Sequence, residues 1–208
     1  MRPDISCSLI FPYIRFFNAS PHGGAVDFYL GSTLVAAGIK YLSFTPYIKT
    51  GTGMQCVKFT RSGRKDEVCE KLCFNQNPGE VKLIAVAGKA DNAHFFTIDE
   101  SVKKENRSFG NIRFCKLCPD DDGIDVYINN IHKVADMHFQ ETSKYFPVQN
   151  GSCDVKIACG DKIIIPSENI RFKKGEYLTC FITGLKNEYP RINKVISTDA
   201  PSYNGFYL

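Results

Sequence analysis

The cysteines are the residues of this sequence whose types and number are best suited to chemistry. The 208-residue chain contains nine of them: Cys7, Cys56, Cys69, Cys73, Cys115, Cys118, Cys153, Cys159 and Cys180. So many cysteines predict either a disulfide framework or a metal site. Because nine is an odd number, full oxidation would leave at least one cysteine free or bonded to another chain.

Two closely spaced pairs could together bind zinc. Cys69-x-x-x-Cys73 and Cys115-x-x-Cys118 supply the four thiolates of a structural site. However, Cys115 and Cys118 lie on a predicted strand, where their odd spacing places them on opposite faces. A thioredoxin-like redox centre places its Cys-x-x-Cys at the start of a helix, and no helix is predicted here. We therefore expect disulfides or buried thiols, with no metal site and no cofactor.

The other polar motifs do not match a known site. The acidic run from Asp120 to Asp125 lacks the alternating spacing and the distal glutamate of a calcium loop. The histidines are dispersed along the chain: His22, His94, His132 and His138. The sequence contains no G-x-S-x-G, no P-loop and no H-E-x-x-H motif. We predict no catalytic residues and no enzymatic activity.

Charge and hydropathy exclude two classes of partner. The net charge is +4, from 26 basic and 22 acidic residues, and the basic residues form no stripe. This pattern is not typical of a nucleic-acid-binding protein. No run approaches the roughly 20 apolar residues that cross a membrane, and residues 1–11 are too polar for a secretory signal. We expect synthesis in the cytoplasm without a signal peptide, and no nucleic-acid or membrane partner.

A repeat extends through most of the chain. Residues 14–30 align without gaps on residues 112–128, an offset of 98 that keeps an Ile-Arg-Phe, a proline and an Asp-x-Tyr. Tyr47 and Tyr145 are related by the same offset. The alignment predicts an N-terminal arm (1–13), a first repeat (14–100), a linker (101–111), a second repeat (112–200) and a C-terminal tail (201–208).

Each repeat has the pattern of short β-strands. Residues 26–30 and 124–128 alternate in polarity, while 81–87 and 177–183 are apolar runs closed by glycine, as in central strands. About seven strands in some 90 residues favour an all-β chain of two tandem immunoglobulin-like β-sandwich domains. Asp27 and Asp125 begin equivalent strands, so we expect them to accept hydrogen bonds from backbone amides.

The first repeat also carries a more specific pattern, Arg-Phe-x-x-Ala-Ser-Pro-x-x-x-x-Val-Asp-x-Tyr, from Arg15 to Tyr29. It resembles the opening of the bacterial domain of unknown function family 4397, whose copies often occur in tandem. The second repeat keeps Pro119-Asp120 and the later Asp-x-Tyr, but has Leu117-Cys118 in place of Ala-Ser. The resemblance implies a β-sandwich, a surface or envelope location and no established catalytic residues.

A spore would reconcile this resemblance with the many cysteines and the expected absence of a signal peptide. Coat and exosporium proteins are made in the mother-cell cytoplasm and are later oxidised and cross-linked. We expect a non-catalytic structural protein that self-assembles into a disulfide-stabilised spore coat, exosporium or appendage layer or filament. Its partners would be further copies of itself, as a homopolymer, and other spore-envelope proteins.

The alternative is a surface binding module for carbohydrate or a partner protein. This reading uses the exposed aromatics expected in the tail, Tyr203, Phe206 and Tyr207. The assembly reading instead uses Cys7, which lies in the arm outside both repeats and is the candidate for an intermolecular disulfide. The other eight cysteines remain candidates for disulfides of either kind.

Overall fold

The computed structural model describes residues 11–101, 108–120, 123–149 and 151–203, and in these ranges the chain is nearly all β-strand. The strands of the first domain are β1 (Tyr13–Asn18), β2 (Val26–Leu30), β3 (Thr33–Ile39), β4 (Ser43–Phe44), β5 (Ile48–Lys49), β6 (Gly53–Arg61), β7 (Val68–Gln76), β8 (Val81–Ala87) and β9 (His94–Asp99). Those of the second domain are β10 (Gly110–Lys116), β11 (Ile124–Ile128), β12 (Ile131–Met137), β13 (Phe146–Val148), β14 (Ser152–Cys159), β15 (Lys162–Arg171), β16 (Tyr177–Thr183) and β17 (Asn193–Thr198).

Each domain is a sandwich of two sheets. In the first domain one sheet has the order β4-β1-β8-β9, with β5 also paired to β1, and the other has the order β3-β2-β6-β7. The second domain repeats this topology as β13-β10-β16-β17 and β12-β11-β14-β15. In both domains the first strand pairs in parallel with the central strand, β1 with β8 and β10 with β16. The prediction of two tandem all-β sandwiches is confirmed.

Successive side chains of β1 point to opposite faces of its sheet, and this alternation explains how the two domains meet. Ile14 and Phe16 point into the core of the first sandwich, where Phe16 stacks on Phe28 with ring centroids 4.3 Å apart. Phe17 points the opposite way and joins a second apolar cluster that includes Phe181 of the other domain. The sheet containing β1 is therefore buried on both faces, which is why β8 is almost continuously apolar.

The two sheets that contain β1 and β10, called here the inner sheets, pack against each other. The ring of Phe17 stacks on that of Phe44, with centroids 4.0 Å apart. The ring centroid of Phe181 lies 5.1 Å from that of Phe17, across the domain boundary. The buried members of this boundary cluster are Phe17, Ala19, Leu83, Ala85, Ala87, Ile98, Cys115, Leu117 and Phe181. A shared apolar core holds the two sandwiches together, since burial of apolar surface favours association.

The strands differ from the sequence-based expectation in two details. Within the described residues the domains contain nine and eight strands instead of about seven, because short strands such as β4, β5 and β13 add to the sheet edges. The last two residues of the expected linker, Gly110 and Asn111, belong to β10, where they pair with Val148 and Pro147. Among the described residues, no helix has the length and apolar character needed to span a membrane.

Candidate functional site: the boundary between the domains

Two arginines at equivalent positions of the repeats are buried in the boundary. Arg15 on β1 and Arg113 on β10 point out of their own sandwiches and are 4% and 5% exposed. The Arg15 Nη2 atom lies 2.5 Å from Glu100 and 3.3 Å from Asp199, and Nη1 donates to the Ser197 hydroxyl at 2.8 Å. The first domain thus places a cation against side chains of the second.

Arg113 makes the corresponding contacts from the other side. Its Nη2 atom lies 3.3 Å from Asp199, and its Nε donates to the Thr179 hydroxyl at 2.8 Å. Its Nη1 crosses the boundary in the reverse direction and donates to the Asp99 carbonyl at 2.8 Å. Each arginine therefore contacts both domains.

Two tyrosines complete what we call the ionic cluster, formed by Arg15, Tyr47, Glu100, Arg113, Tyr145 and Asp199. The Tyr47 hydroxyl donates to Glu100 at 2.6 Å, and the Tyr145 hydroxyl donates to Asp199 at 2.5 Å. Each tyrosine ring also faces the guanidinium of the arginine in its own domain. The Cζ atom of Arg15 lies 4.8 Å from the centroid of the Tyr47 ring, and that of Arg113 lies 4.6 Å from the centroid of the Tyr145 ring. The cluster consists of one arginine, one tyrosine and one carboxylate from each repeat.

Burial determines the protonation of this cluster. Burial, together with the nearby Asp199 carboxylate, raises the pKa of Glu100 to about 7 although Arg15 opposes the change. Burial and the neighbouring carboxylates also raise the pKa of Tyr47 and of Tyr145, so both hydroxyls keep the protons that they donate. The side chains of Glu100 and Asp199 have no exposed surface. The cluster is suited to holding two domains in one orientation.

Sequence reasoning recorded the repeated arginines and tyrosines but missed their role. The signal was present: in both copies a charged residue, Arg15 or Arg113, lies between the apolar residues of an Ile-Arg-Phe segment inside a predicted strand. Burying an arginine is unfavourable unless it is paired, so its repetition indicates a buried partner. The carboxylates, Glu100 and Asp199, follow the last strand of each domain, and nothing in their local sequence distinguishes them.

One disulfide is present among the described cysteines, joining Cys56 of β6 to Cys73 of β7. These residues face each other in the strand register. The equivalent pair of the second domain, between β14 and β15, is Asp154 and Asn169, which are joined by a hydrogen bond of 2.9 Å. The same cross-strand position is thus closed covalently in one domain and by a hydrogen bond in the other.

The remaining described cysteines are thiols. Cys69 is exposed, Cys159 is partly exposed, and four others are buried: Cys115, Cys118, Cys153 and Cys180. Burial raises the pKa of the Cys115 and Cys180 thiols to about 12, which keeps them protonated and unreactive. Cys7, the candidate for an intermolecular bond, lies outside the described residues.

The four cysteines considered for zinc do not form one site. Cys73 is bonded to Cys56, and Cys69 is exposed on β7. Cys115 lies in the boundary cluster, whereas Cys118 lies in the core of the second sandwich, so the two thiols are on opposite faces of the sheet, as predicted. Cys118 itself follows the end of β10, which is at Lys116. In the part of the chain that the structure describes, no group of three or more His, Cys, Asp or Glu residues could hold a metal ion.

The aspartates shared by the repeats accept backbone hydrogen bonds, which confirms that prediction. Asp27 accepts from the amides of Gly38 and Gly63 at 2.7 and 2.9 Å. Asp125 accepts from the amide of Asp136 at 3.1 Å. The four histidines are exposed, and each has a ring nitrogen within 4.0 Å of a carboxylate oxygen.

A cleft of about 510 Å³ opens where the two domains meet at the surface. The first domain contributes His22, Tyr41 and Leu42, and the second contributes residues 189–193. Residues 189–192 belong to the connection between β16 and β17, and Asn193 is the first residue of β17. The cleft combines aromatic rings with polar side chains, as ligand sites commonly do.

The fold and its buried boundary define a protein of tandem β-sandwich domains whose inner sheets pack together. The family model described as domain of unknown function, DUF4397, matches residues 12–120 and 110–201. The chain belongs to this family, and its two matches correspond to the two sandwiches.

No curated protein matches the sequence. Among solved structures, a protein of Bacteroides uniformis named for a proposed role in cell adhesion is 9% identical, with a TM-score of 0.25, over 90% of this chain and 97% of its own. A protein of Bacteroides eggerthii with the same description is 8% identical, with a TM-score of 0.23, over 91% and 95%. At these scores neither match supports an argument about this chain.

Proposed function

We propose that this protein is a non-catalytic structural protein whose rigid two-domain units associate with one another into a spore-surface layer or filament. The observation that carries this proposal is the exposed, uncharged edge strand β3. Strand addition at such an edge is a known means of self-association.

Strand β3 forms one edge of the sheet β3-β2-β6-β7, and its outer side has no partner strand among the described residues. Its sequence, Thr-Leu-Val-Ala-Ala-Gly-Ile, contains no charged residue and no proline, and Leu34 is 49% exposed. The equivalent edge strand of the second domain, β12, carries His132, Lys133 and Asp136. Charges on an edge strand oppose the addition of another strand, so the two edges are expected to behave differently.

The buried boundary supports a structural role because it makes the two domains one rigid unit. Repeated units build an ordered layer or filament only when each presents its contacts at a constant angle. A head-to-tail contact between subunits that does not generate a closed ring then produces an open assembly, such as a filament. The shared apolar core and the ionic cluster would keep that angle constant.

An intermolecular disulfide is proposed to stabilise the assembly after association. Cys7, in the N-terminal arm, is proposed to supply one of the two sulfur atoms of this bond. Cys69 is the exposed thiol among the described cysteines and lies near the start of edge strand β7, so it is the proposed partner in the next subunit. An oxidising spore surface would permit such a bond.

Assembly can be tested with charges placed on the edge of β3. Negative-stain electron microscopy of purified protein, with and without reductant, should show layers or filaments for the wild type. Introducing Leu34→Lys with Ala37→Lys should leave a soluble two-domain monomer. Ile131→Lys, on the exposed and already charged β12, is the matched control and should assemble normally. Wild-type protein that stays monomeric at all concentrations under oxidising conditions would overturn the proposal.

A second function, binding of carbohydrate or a partner protein at a surface, is favoured by the cleft between the domains. The aromatic residues of the C-terminal tail give this second function less support. Tyr203 is 46% exposed and packs edge-on against Tyr47 at 6.0 Å, while Phe206 and Tyr207 lie outside the described residues.

A further inference from the structure

We propose that the cleft between the domains is a binding site for a neutral pyranose oligosaccharide, in which the exposed ring of Tyr189 stacks on a sugar face. This inference rests on the second function proposed above and names its site and its class of ligand. It is independent of self-assembly, because neither β3 nor Cys69 lines the cleft.

The wall from the second domain is made by an extension that the first domain lacks. The connection between β8 and β9 has six residues (88–93), whereas the equivalent connection between β16 and β17 has nine (184–192). The longer connection brings Tyr189, Pro190 and Arg191 to the cleft, where they face Tyr41 and Leu42 of the first domain. The cleft is therefore specific to this boundary and is not a general feature of the repeat.

The extended connection is held in place by contacts at its start and middle. The Lys186 amide donates to the Asp120 carboxylate at 2.6 Å, and Glu188 forms an ion pair with Lys89 of the first domain at 2.7 Å. Gly184 has a φ of +95°, and a Cβ at this position would lie 2.4 Å from the Arg191 carbonyl oxygen. The chain thus turns tightly back on itself, and a preformed wall lowers the entropic cost of binding a ligand.

The side chains of the cleft match the two surfaces of a sugar ring. Tyr189 is 84% exposed, which leaves its ring available to the apolar C–H face of a pyranose. Arg191 donates one hydrogen bond, from Nη1 to the Lys186 carbonyl at 2.7 Å, and its other N–H groups have no partner in the part of the chain described. Together with Asn193 and His22, these groups can bond the hydroxyls at the ring edge.

The charge around the cleft favours a neutral ligand. Of the basic groups nearby, Lys89 and His22 both face Glu188, at 2.7 and 4.0 Å, which leaves Arg191 as the single cation of the cleft lining with no carboxylate partner among the described residues. One arginine is not the row of cations that binding of a phosphate or sulfate chain requires, and the described part of the cleft lining offers no further unpaired cation. A proline-rich peptide could also use tyrosine rings, and it is the competing outcome of the test.

The test uses the full chain, with chitotetraose, cellotetraose and maltotetraose as probes. Saturation-transfer NMR and calorimetry should detect binding of at least one of the three. Tyr189→Ala should weaken that binding at least tenfold, whereas Tyr189→Phe, which keeps the ring, should stay within about threefold of the wild type. Tyr203→Ala is the matched control, since Tyr203 is also exposed but does not line the cleft, and it should bind as the wild type does.

The outcomes separate the cleft from the wider binding function. Equal affinity of Tyr189→Ala and the wild type would overturn the assignment of the cleft, and a loss in Tyr203→Ala alone would place binding at the tail and leave the second function standing. Absence of binding to all three probes would overturn the saccharide class, as would a proline-rich peptide whose binding depends on Tyr189. Each variant replaces an exposed side chain, so a native circular dichroism spectrum is expected throughout.

Discussion

Arg15 of the first domain forms a buried ion pair with Asp199 of the second, with Nη2 and Oδ1 3.3 Å apart. The other oxygen of Asp199 lies 3.3 Å from Arg113, so one carboxylate serves the equivalent arginines of both repeats. Buried ion pairs often add little net stability, because desolvation offsets their attraction, but they disfavour arrangements that leave a charge unpaired. The apolar boundary attaches the domains to each other, and the ionic cluster selects their orientation.

Removing Asp199 should be strongly destabilising because it leaves two buried arginines without their shared partner. We expect Asp199→Ala to lower the free energy of unfolding in urea by about 3–5 kcal/mol. Arg64→Ala is the control, since Arg64 and Glu67 form an exposed pair at 3.1 Å, and its effect should stay within about 1 kcal/mol. Similar effects of the two substitutions would contradict the role assigned to the cluster.

Stability should depend on pH through Glu100. Its pKa is raised from 4.5 to about 7 in the folded protein, mainly by burial. Between these values the folded state binds a proton that the unfolded state releases, so this group's contribution to stability is complete below about pH 4.5 and is lost as the pH rises through 7. The loss is on the order of 3 kcal/mol.

Urea unfolding at pH 5, 6, 7 and 8 measures this contribution as the difference between wild type and Glu100→Gln. Glutamine cannot ionise, so the variant should lose less stability than the wild type as the pH rises. Glu67→Gln, at an exposed position, should leave the pH dependence unchanged. Parallel curves for Glu100→Gln and the wild type would show that Glu100 stays ionised throughout this range.

The disulfide should stabilise the first domain alone. The bond joins residues 17 positions apart, so replacing Cys56 and Cys73 by serine should destabilise that domain by about 3 kcal/mol. Asp154→Ala removes the hydrogen bond at the equivalent position of the second domain and should cost about 1 kcal/mol. Hydrogen exchange measured peptide by peptide distinguishes the two effects. Equal loss of protection in both domains after the serine substitutions would show that the disulfide does not stabilise the first domain alone.

The proposed intermolecular bond predicts that Cys7→Ser leaves both sandwiches folded but lets assemblies dissociate in denaturant. Non-reducing electrophoresis and mass mapping of linked peptides should find Cys7 joined to Cys69 of another chain. Cys159→Ser, at a partly exposed thiol, is the matched control and should leave the cross-link intact. A free Cys7 in intact assemblies, or a bridge from Cys7 within its own chain, would rule out this mechanism.

Much of the fold could be predicted from the sequence because its signals are local. The segments 26–30, 81–87, 124–128 and 177–183, chosen for alternation or continuous apolarity, coincide with β2, β8, β11 and β16. A strand shows its period of two over a few residues, and a repeat at an offset of 98 shows that the same unit is built twice. The hydrogen bonds of Asp27 and Asp125 were predictable for the same reason, since the backbone amides that donate to them, those of Gly38 and Asp136, lie 11 residues further along the chain on the adjacent strands β3 and β12.

The tertiary structure alone decided how the two units meet. Arg15 contacts Glu100, Ser197 and Asp199, which are 85 to 184 positions away in the chain, and no local pattern relates such distant residues. The pairing of Cys56 with Cys73 required the register of β6 and β7, because nine cysteines allow many pairings. The cleft beside Tyr189 likewise exists only because the inner sheets pack face to face, which brings together a loop from each domain. Local periodicity determines strands, but packing of their outer faces determines which distant side chains become neighbours.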